Sequence, residues 1–295
     1  MIRPRLLPLS LAALALLGAR TALADPIKFT GYVENDFSTT DPNVAVFNVL
    51  NSPLDVGPSQ FMINNGWVSG WAIKDIRVSY DSKSDTLSVG FDTFKNAQGQ
   101  PAIVGDADGN GDPGGASPQM AKAGGIDSPH LGGSKSVGIA LAGVNSADPS
   151  QPGPTVLVAG VPADKSTAGP GIDGFTVSLP KGNSGVAYNF GKSLTNASGN
   201  PVGQLAFDPS SAHPGFEFSI NNFSKVSGID PAKGFWMEAF AGAAEDVVVG
   251  SAGMPFVRIP AFDAQNVPEP ATILAWSLVA AAAGLRYRRR ASVVG

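Results

Sequence analysis

The chain has 295 residues and a formal net charge of −4, with 43% hydrophobic and only 15% charged residues. It contains no cysteine and only two histidines, which excludes disulfide-stapled miniproteins, Cys-ligated metal proteins and thiol enzymes. The 36 glycines and 24 prolines are too frequent for long helices, and they lack a collagen period. The composition therefore favours a loop-rich, all-β protein.

Residues 1–24 have the pattern of a secretory signal peptide. Two arginines precede the mostly apolar run 6–17, which is too short for a stable membrane span. Ala22 and Ala24 then form the small-residue A-x-A site at which signal peptides are cleaved. We predict cleavage after Ala24 and export of the remainder of the chain.

The predicted body, residues 25–262, shows period-two alternation of apolar and polar residues. Apolar residues alternate along 76–80 and again along 87–91, on either side of a turn at 81–84, which predicts a β-hairpin with one buried face. Further candidate strands are 27–33, 44–50, 137–141, 155–158, 175–179, 216–220 and 235–240. Many short strands separated by Gly, Pro, Asn and Asp turns indicate one antiparallel β-sandwich or jelly-roll-like domain.

The segment 96–135 interrupts this strand rhythm and is rich in Gly and Asp. Asp106, Asp108 and Asn110 stand at alternate positions and Gly111 follows them, as in the first half of a calcium loop. Alternate residues of a curled loop can direct their oxygens at one cation. Glycine permits the turn that brings the backbone carbonyl of Asp112 to the same ion.

The second half of this loop departs from the calcium pattern, because Ser117 stands where a bidentate Glu belongs. Two further ligands must then come from elsewhere, and Asp127 and Asp92 are the candidates. We expect calcium as a stabilising cofactor of the body. The alternative is an acidic, Gly-rich loop that is simply solvated.

Motifs for familiar hydrolases are absent from the sequence. It contains neither a G-x-S-x-G elbow nor an H-E-x-x-H zinc motif. A retaining glycosidase needs two carboxylates about 5 Å apart. Glu34, Glu217, Glu238 and Glu245 are available in the body together with many Asp residues, but the sequence does not pair them. A carbohydrate-active hydrolase therefore remains the alternative to a non-enzymatic protein.

Four aromatic residues of the body, Trp67, Trp71, Phe235 and Trp236, admit two interpretations. Flat apolar rings suit the faces of sugars, so they could form the platform of a carbohydrate-binding module. Large aromatic side chains also dominate hydrophobic cores. The second interpretation makes them part of the interior of the sandwich.

The C-terminal region, residues 263–295, has three parts in order. Val267, Pro268, Glu269 and Pro270 precede the uncharged run 271–285, which spans only about 22 Å as a helix. The basic residues that follow are Arg286, Arg288, Arg289 and Arg290. Snorkelling arginines extend the effective length of a short membrane helix and hold this end in the cytoplasm. An ordinary C-terminal anchor after a Pro-rich linker is the alternative interpretation.

This ending resembles the PEP-CTERM sorting signal of Gram-negative bacteria, and the resemblance covers about the last thirty residues. It implies that an exosortase, a membrane transpeptidase-like enzyme, recognises Pro268, Glu269 and Pro270 and removes the tail. By the same resemblance the protein passes through the inner membrane to the cell surface or the exopolysaccharide matrix. Extracellular polysaccharide is then an expected partner.

The chain without its two basic ends is more acidic than the whole chain. All 24 acidic residues lie between Asp25 and Pro270, whereas seven of the 20 basic residues lie outside that stretch, which leaves 13 basic against 24 acidic residues and a net charge of −11. Nucleic acid is excluded as a partner, because binding it requires clustered Lys and Arg. We therefore expect a secreted, non-enzymatic, calcium-stabilised β-protein of the cell surface or matrix.

Overall fold

The computed structural model describes most of the predicted body. The described residues are 26–48, 69–95, 98–106, 130–131, 136–162, 171–172, 174–181, 190–207, 209–242, 247–249 and 256–262. They all belong to one compact unit that extends from residue 24 to residue 262. The predicted signal peptide, 1–24, and the predicted sorting signal, 263–295, lie outside the described residues.

Strands form most of the regular structure. In chain order they are β1 (Val44–Asn48), β2 (Ile73–Asp81), β3 (Thr86–Thr93), β4 (His130–Leu131), β5 (Ser136–Val144), β6 (Pro152–Val161), β7 (Gly171–Ile172), β8 (Thr176–Pro180), β9 (Phe190–Ser193), β10 (Gly203–Leu205), β11 (Phe216–Asn221), β12 (Phe235–Gly242), β13 (Val247–Val249) and β14 (Val257–Ile259). The helices within the described ranges are α1 (Val33–Asp36), α2 (Phe223–Ser227) and a 3₁₀ turn (Pro231–Lys233). None of them is long and apolar enough to cross a membrane. The predicted membrane helix, 271–285, falls outside these ranges.

The strands make two large antiparallel sheets. Sheet 1 has the order β1-β2-β3-β11-β10, and sheet 2 has the order β13-β12-β5-β6-β8-β9, with β14 also paired to β12. Strands β4 and β7 form a separate parallel pair. The antiparallel pairing of both large sheets confirms the prediction of an antiparallel all-β protein.

The predicted hairpin is formed by β2 and β3. Val78 lies opposite Val89, and Tyr80 lies opposite Leu87. The carboxylate of Asp81 closes the turn by accepting hydrogen bonds from the backbone of Lys83 at 2.9 Å and from the Ser84 hydroxyl at 2.6 Å. Such Asx hydrogen bonds are the reason that Asp and Ser favour turns.

The hydrophobic core takes its side chains from both sheets. Ile76, Val89 and Phe218 of sheet 1 belong to the same buried cluster as Leu141 and Met237 of sheet 2. All five are fully buried. Each sheet therefore turns its apolar face toward one common core, as period-two alternation requires.

The expectation of a strand at 27–33 is wrong. Residues 26–32 form no strand, and α1 begins at Val33. Gly31 adopts a positive φ of 85°, which interrupts an extended run. Its N–H donates to the side chain of Glu217 and its carbonyl accepts from the N–H of Gly215, so these groups satisfy the backbone in place of a strand ladder.

Candidate functional site

The outer face of sheet 1, on the side away from the core, carries a row of charged residues. Strand pairing places Arg77 opposite Gly90 and Gly90 opposite Glu217, with Asp75 opposite Asp92 beside them. The exposed fraction of these four charged residues is at most 5%. Charged side chains are almost never fully buried unless they are paired. This face is therefore covered and its charges need partners.

The cover is the N-terminal segment, defined here as residues 26–37. Its side chains Val33 and Phe37 are 2% and 0% exposed. A Cβ atom at Gly90 would lie only 2.9 Å from atoms of both side chains, which explains why a glycine stands at this central position of β3. The N-terminal segment consequently packs directly on the sheet.

Arg77 connects the sheet to this cover. Its Nε donates to Asp75 at 2.8 Å and its Nη2 donates to Asp92 at 3.3 Å. Its Nη1 donates to the backbone carbonyl of Phe37 at 2.8 Å. The planar fork of the guanidinium group suits such simultaneous contacts. One buried cation thus neutralises part of the acidic row and holds the end of the N-terminal segment.

Lys74 links the same row to helix α1. Its Nζ lies 2.6 Å from Glu34 and 2.8 Å from Asp92. Lys95 also pairs with Glu34, and the backbone of Lys95 forms an isolated β-bridge with Pro101. Hydrogen bonds from Lys74 and Lys95 lower the pKa of Glu34 to about 2. Burial raises the pKa of Asp92, an effect that the hydrogen bond from Lys74 opposes.

A cleft of about 220 Å³ opens between α1 and the loop that follows β3. Its lining includes Tyr32, Glu34, Asp92, Thr93 and Lys95. Tyr32 is 37% exposed, so part of its surface is accessible. The carboxylates in the cleft already contact lysine or arginine, so its charges are neutralised within the protein.

Glu217 is the fully buried carboxyl group of this face. Its Oε2 accepts a hydrogen bond from the backbone N–H of Gly31 at 2.9 Å, whereas its Oε1 has no hydrogen-bond partner among the described residues. The carboxylate of Asp36 lies within hydrogen-bonding reach. Burial, and then the negative charge of Asp36, raise the pKa of Glu217 to about 8.

The predicted calcium ligands are only partly described. Asp92 faces the N-terminal segment and accepts hydrogen bonds from Lys74 and Arg77. Asp106 is 1% exposed, and its backbone carbonyl accepts a hydrogen bond from the N–H of Gly70. Asp108, Asn110, Asp112 and Asp127 lie outside the described residues. Within the described ranges, no three His, Asp or Glu side chains are arranged to hold a metal ion.

The predicted aromatic platform is not formed by Phe235 and Trp236. Phe235 is fully buried in the common core, and Trp236 is 4% exposed with the guanidinium of Arg258 located 5.7 Å from its ring centre. Trp71 is partly buried and packs against the core. Phe235 and Trp71 therefore belong to the core or pack on it, whereas Trp236 is buried outside the core cluster. Trp67 lies outside the described residues.

The sequence did not point to the buried charge network. Alternation along β2, β3 and β11 places Arg77, Asp92 and Glu217 on the face away from the core, which is the face that solvent usually covers. A signal that could have been used is the occurrence of opposite charges at Asp75 and Arg77, two positions apart on one strand face.

No protein-family model matches the chain, and no curated protein or solved structure is significantly similar to it. The functional interpretation therefore depends on the residues of this chain alone.

We predict that Arg77→Met destabilises the protein by about 3–5 kcal/mol, because it removes the hydrogen-bonded cation of the buried Asp75 and leaves Asp92 with Lys74 alone. Urea unfolding measures the loss. Lys83→Met in the exposed turn is the matched control and should change stability by less than about 0.5 kcal/mol. Equal effects of the two substitutions would contradict a buried network.

Proposed function

We propose that the protein is exported, processed at its C-terminus by an exosortase-type enzyme, and delivered as a non-enzymatic β-sandwich to the cell surface or exopolysaccharide matrix. The observation that carries this proposal is the order of three features at one end: the motif 267–270, the apolar run 271–285 and the basic cluster 286–290. A signal peptide at the other end supports it, because the sorting signal has a use only in an exported chain.

The two-sheet body supports the proposal of a sandwich with jelly-roll-like character. One core shared by two antiparallel sheets is the layer arrangement of this fold class. The absence of cysteine is compatible with a fold that derives its stability from this core and not from disulfides. An acidic body also suits solubility outside the cell.

The state of the carboxylates favours a non-enzymatic role for the outer face of sheet 1. A general acid needs a carboxyl group whose pKa lies near the operating pH. Glu34 has the opposite property, since Lys74 and Lys95 lower its pKa to about 2. Asp92 is held by Lys74 and Arg77, and its side chain is only 5% exposed. These two groups are arranged to stabilise the fold, and Glu217 of the same face, whose pKa is about 8, has no exposed surface through which to reach a substrate.

A carbohydrate-active protein is the second candidate, and one observation favours it. Glu34 and Asp92 both contact Lys74, so two carboxylates lie close together at the 220 Å³ cleft whose rim carries the exposed side of Tyr32. An aromatic ring beside polar groups suits a sugar. The cleft is smaller than the roughly 300 Å³ at which typical ligand pockets begin, which favours binding of one small unit at most.

We further propose that calcium stabilises the Asp/Gly-rich loop. Asp106, Asp108, Asn110 and Asp112 supply the oxygens in this proposal, and Asp127 or Asp92 completes the shell. Asp92 would have to exchange its contacts with Lys74 and Arg77 to do so, which makes Asp127 the better completing ligand.

For the sorting proposal we predict that replacing both Pro268 and Glu269 with alanine leaves the full-length protein in the inner membrane of a host that has the exosortase. Immunoblots of membrane and surface fractions measure this. Gln265→Ala, just before the motif, is the matched control and should be processed normally. Processing of the double variant at the normal rate would contradict the sorting proposal. This outcome is independent of whether the body binds calcium or a sugar.

For the calcium proposal we predict that millimolar calcium raises the thermal unfolding midpoint of the exported protein by several degrees relative to chelator. An ion that binds only the folded state adds about 2.7 kcal/mol at a concentration of 100 Kd. Asp108→Ala, which removes a ligand oxygen, should abolish the shift, whereas Asp148→Ala in an exposed turn should retain it. An unchanged midpoint in the unsubstituted protein would exclude calcium as a stabilising ligand.

A further inference from the structure

The contact between the N-terminal segment and sheet 1 contains two neighbouring carboxyl groups. The Oε2 atom of Glu217 accepts from the N–H of Gly31, and its Oε1 atom is buried without a hydrogen-bond partner among the described residues. Asp36, from the same segment as Gly31, lies within hydrogen-bonding reach of Glu217. The segment is therefore attached to the sheet through the side chain of Glu217.

This arrangement requires one proton. Two ionised carboxylates have no hydrogen to share and repel each other, and a buried polar atom without a partner is costly. A protonated Glu217 removes both difficulties, because its Oε1–H donates to Asp36 while its Oε2 still accepts from Gly31. Glu217 is the better proton carrier of the two, since Asp36 already accepts from the backbone N–H of Thr30 at 2.5 Å and from its hydroxyl at 2.8 Å.

The charges around this pair leave no cation directly on Glu217. Asp36 acts on Glu217 from α1 and Asp92 from β3, and Arg77 of β2 pairs with Gly90, which also pairs with Glu217. Glu34, Lys74 and Asp75 belong to the adjoining charged row, and His213 packs against Gly31 from the loop before β11. Lys74 and Arg77 make hydrogen bonds to Glu34, Asp75 and Asp92. Asp36 and Asp92 both disfavour a second negative charge at Glu217.

We propose that the proton shared by Glu217 and Asp36 is a pH-dependent latch that closes the N-terminal segment over sheet 1 and opens it when the proton is lost at alkaline pH. Loss of the proton places a full charge in a site with no exposed surface and beside a second carboxylate. The ionised Glu217 still accepts from Gly31, but its buried charge repels Asp36, so the contact of the segment with the sheet is weakened at Asp36, while the contacts of Arg77 with the sheet remain. This inference does not depend on export, sorting or calcium.

The direction of the pH effect follows from the raised pKa of Glu217. Burial and Asp36 raise it from 4.5 to about 8, so the folded state holds this proton more tightly than the unfolded state does. The resulting stability is fully present below pH 4.5 and is lost as the pH rises through 8. Burial also raises the pKa of Glu238 in sheet 2 to about 7, so global unfolding alone does not isolate the latch.

Hydrogen exchange measured by mass spectrometry separates the opening of the N-terminal segment from global unfolding, because each peptide reports on its own region. In the exported protein we expect protection of 26–37, corrected for the intrinsic exchange rate, to fall about tenfold between pH 7 and pH 9. Glu217→Gln should remain protected at pH 9, since its amide donates to Asp36 and its carbonyl accepts from Gly31 without titrating. Glu238→Gln is the matched control and should still lose protection in 26–37.

A second variant keeps the proposal testable if Glu217→Gln fails to fold. Asp36→Asn supplies an amide donor to the ionised Glu217, so the N-terminal segment should also remain protected at pH 9. The proposal is overturned if protection of 26–37 in the unsubstituted protein does not change with pH. It is equally overturned if the folded variants at 217 or 36 lose protection at the same pH as the unsubstituted protein.

Discussion

The structure depends on the burial of charge on the outer face of sheet 1. Arg77, Asp75 and Asp92 are each at most 5% exposed, and they are tolerable there only because they are paired. The pairing is completed by the N-terminal segment, which supplies the carbonyl of Phe37 and the carboxylate of Glu34. Sheet 1 is thus covered on both faces, by the apolar core on one side and by the N-terminal segment on the other.

The N-terminal segment begins two residues after the predicted signal cleavage site at Ala24. If the signal is removed there, the part of the chain that first emerges as the new N-terminus is the part that covers the charged row. The partner strand β11 is synthesised much later, since Gly31 and Glu217 are 186 positions apart. Closure of this face therefore requires almost the whole body, and we expect it late in folding because it joins residues far apart in the chain.

Period-two alternation predicted β2, β3, β8 and β11, because each directs one face into the core, whereas β12, which is buried along its whole length, was predicted from its apolar run. Short strands such as β10 contain too few residues to show an alternating pattern, and they form only by pairing with a neighbouring strand. The segment at 27–33 alternates like a strand, but its backbone partners are Glu217 and Gly215 from a distant part of the chain. The local sequence does not specify such distant partners. It therefore predicted neither the conformation of the N-terminal segment nor the buried charge network.

The N-terminal segment is an integral layer of the fold, since Val33 and Phe37 are buried against sheet 1. Urea unfolding of the exported protein with and without residues 25–37 tests it most directly. Phe37 and Val33 alone contribute about 1.5–3 kcal/mol each when fully buried, so the deletion should lower the free energy of unfolding by at least about 3 kcal/mol or prevent folding altogether. A shortened protein with an unchanged free energy of unfolding would contradict the account.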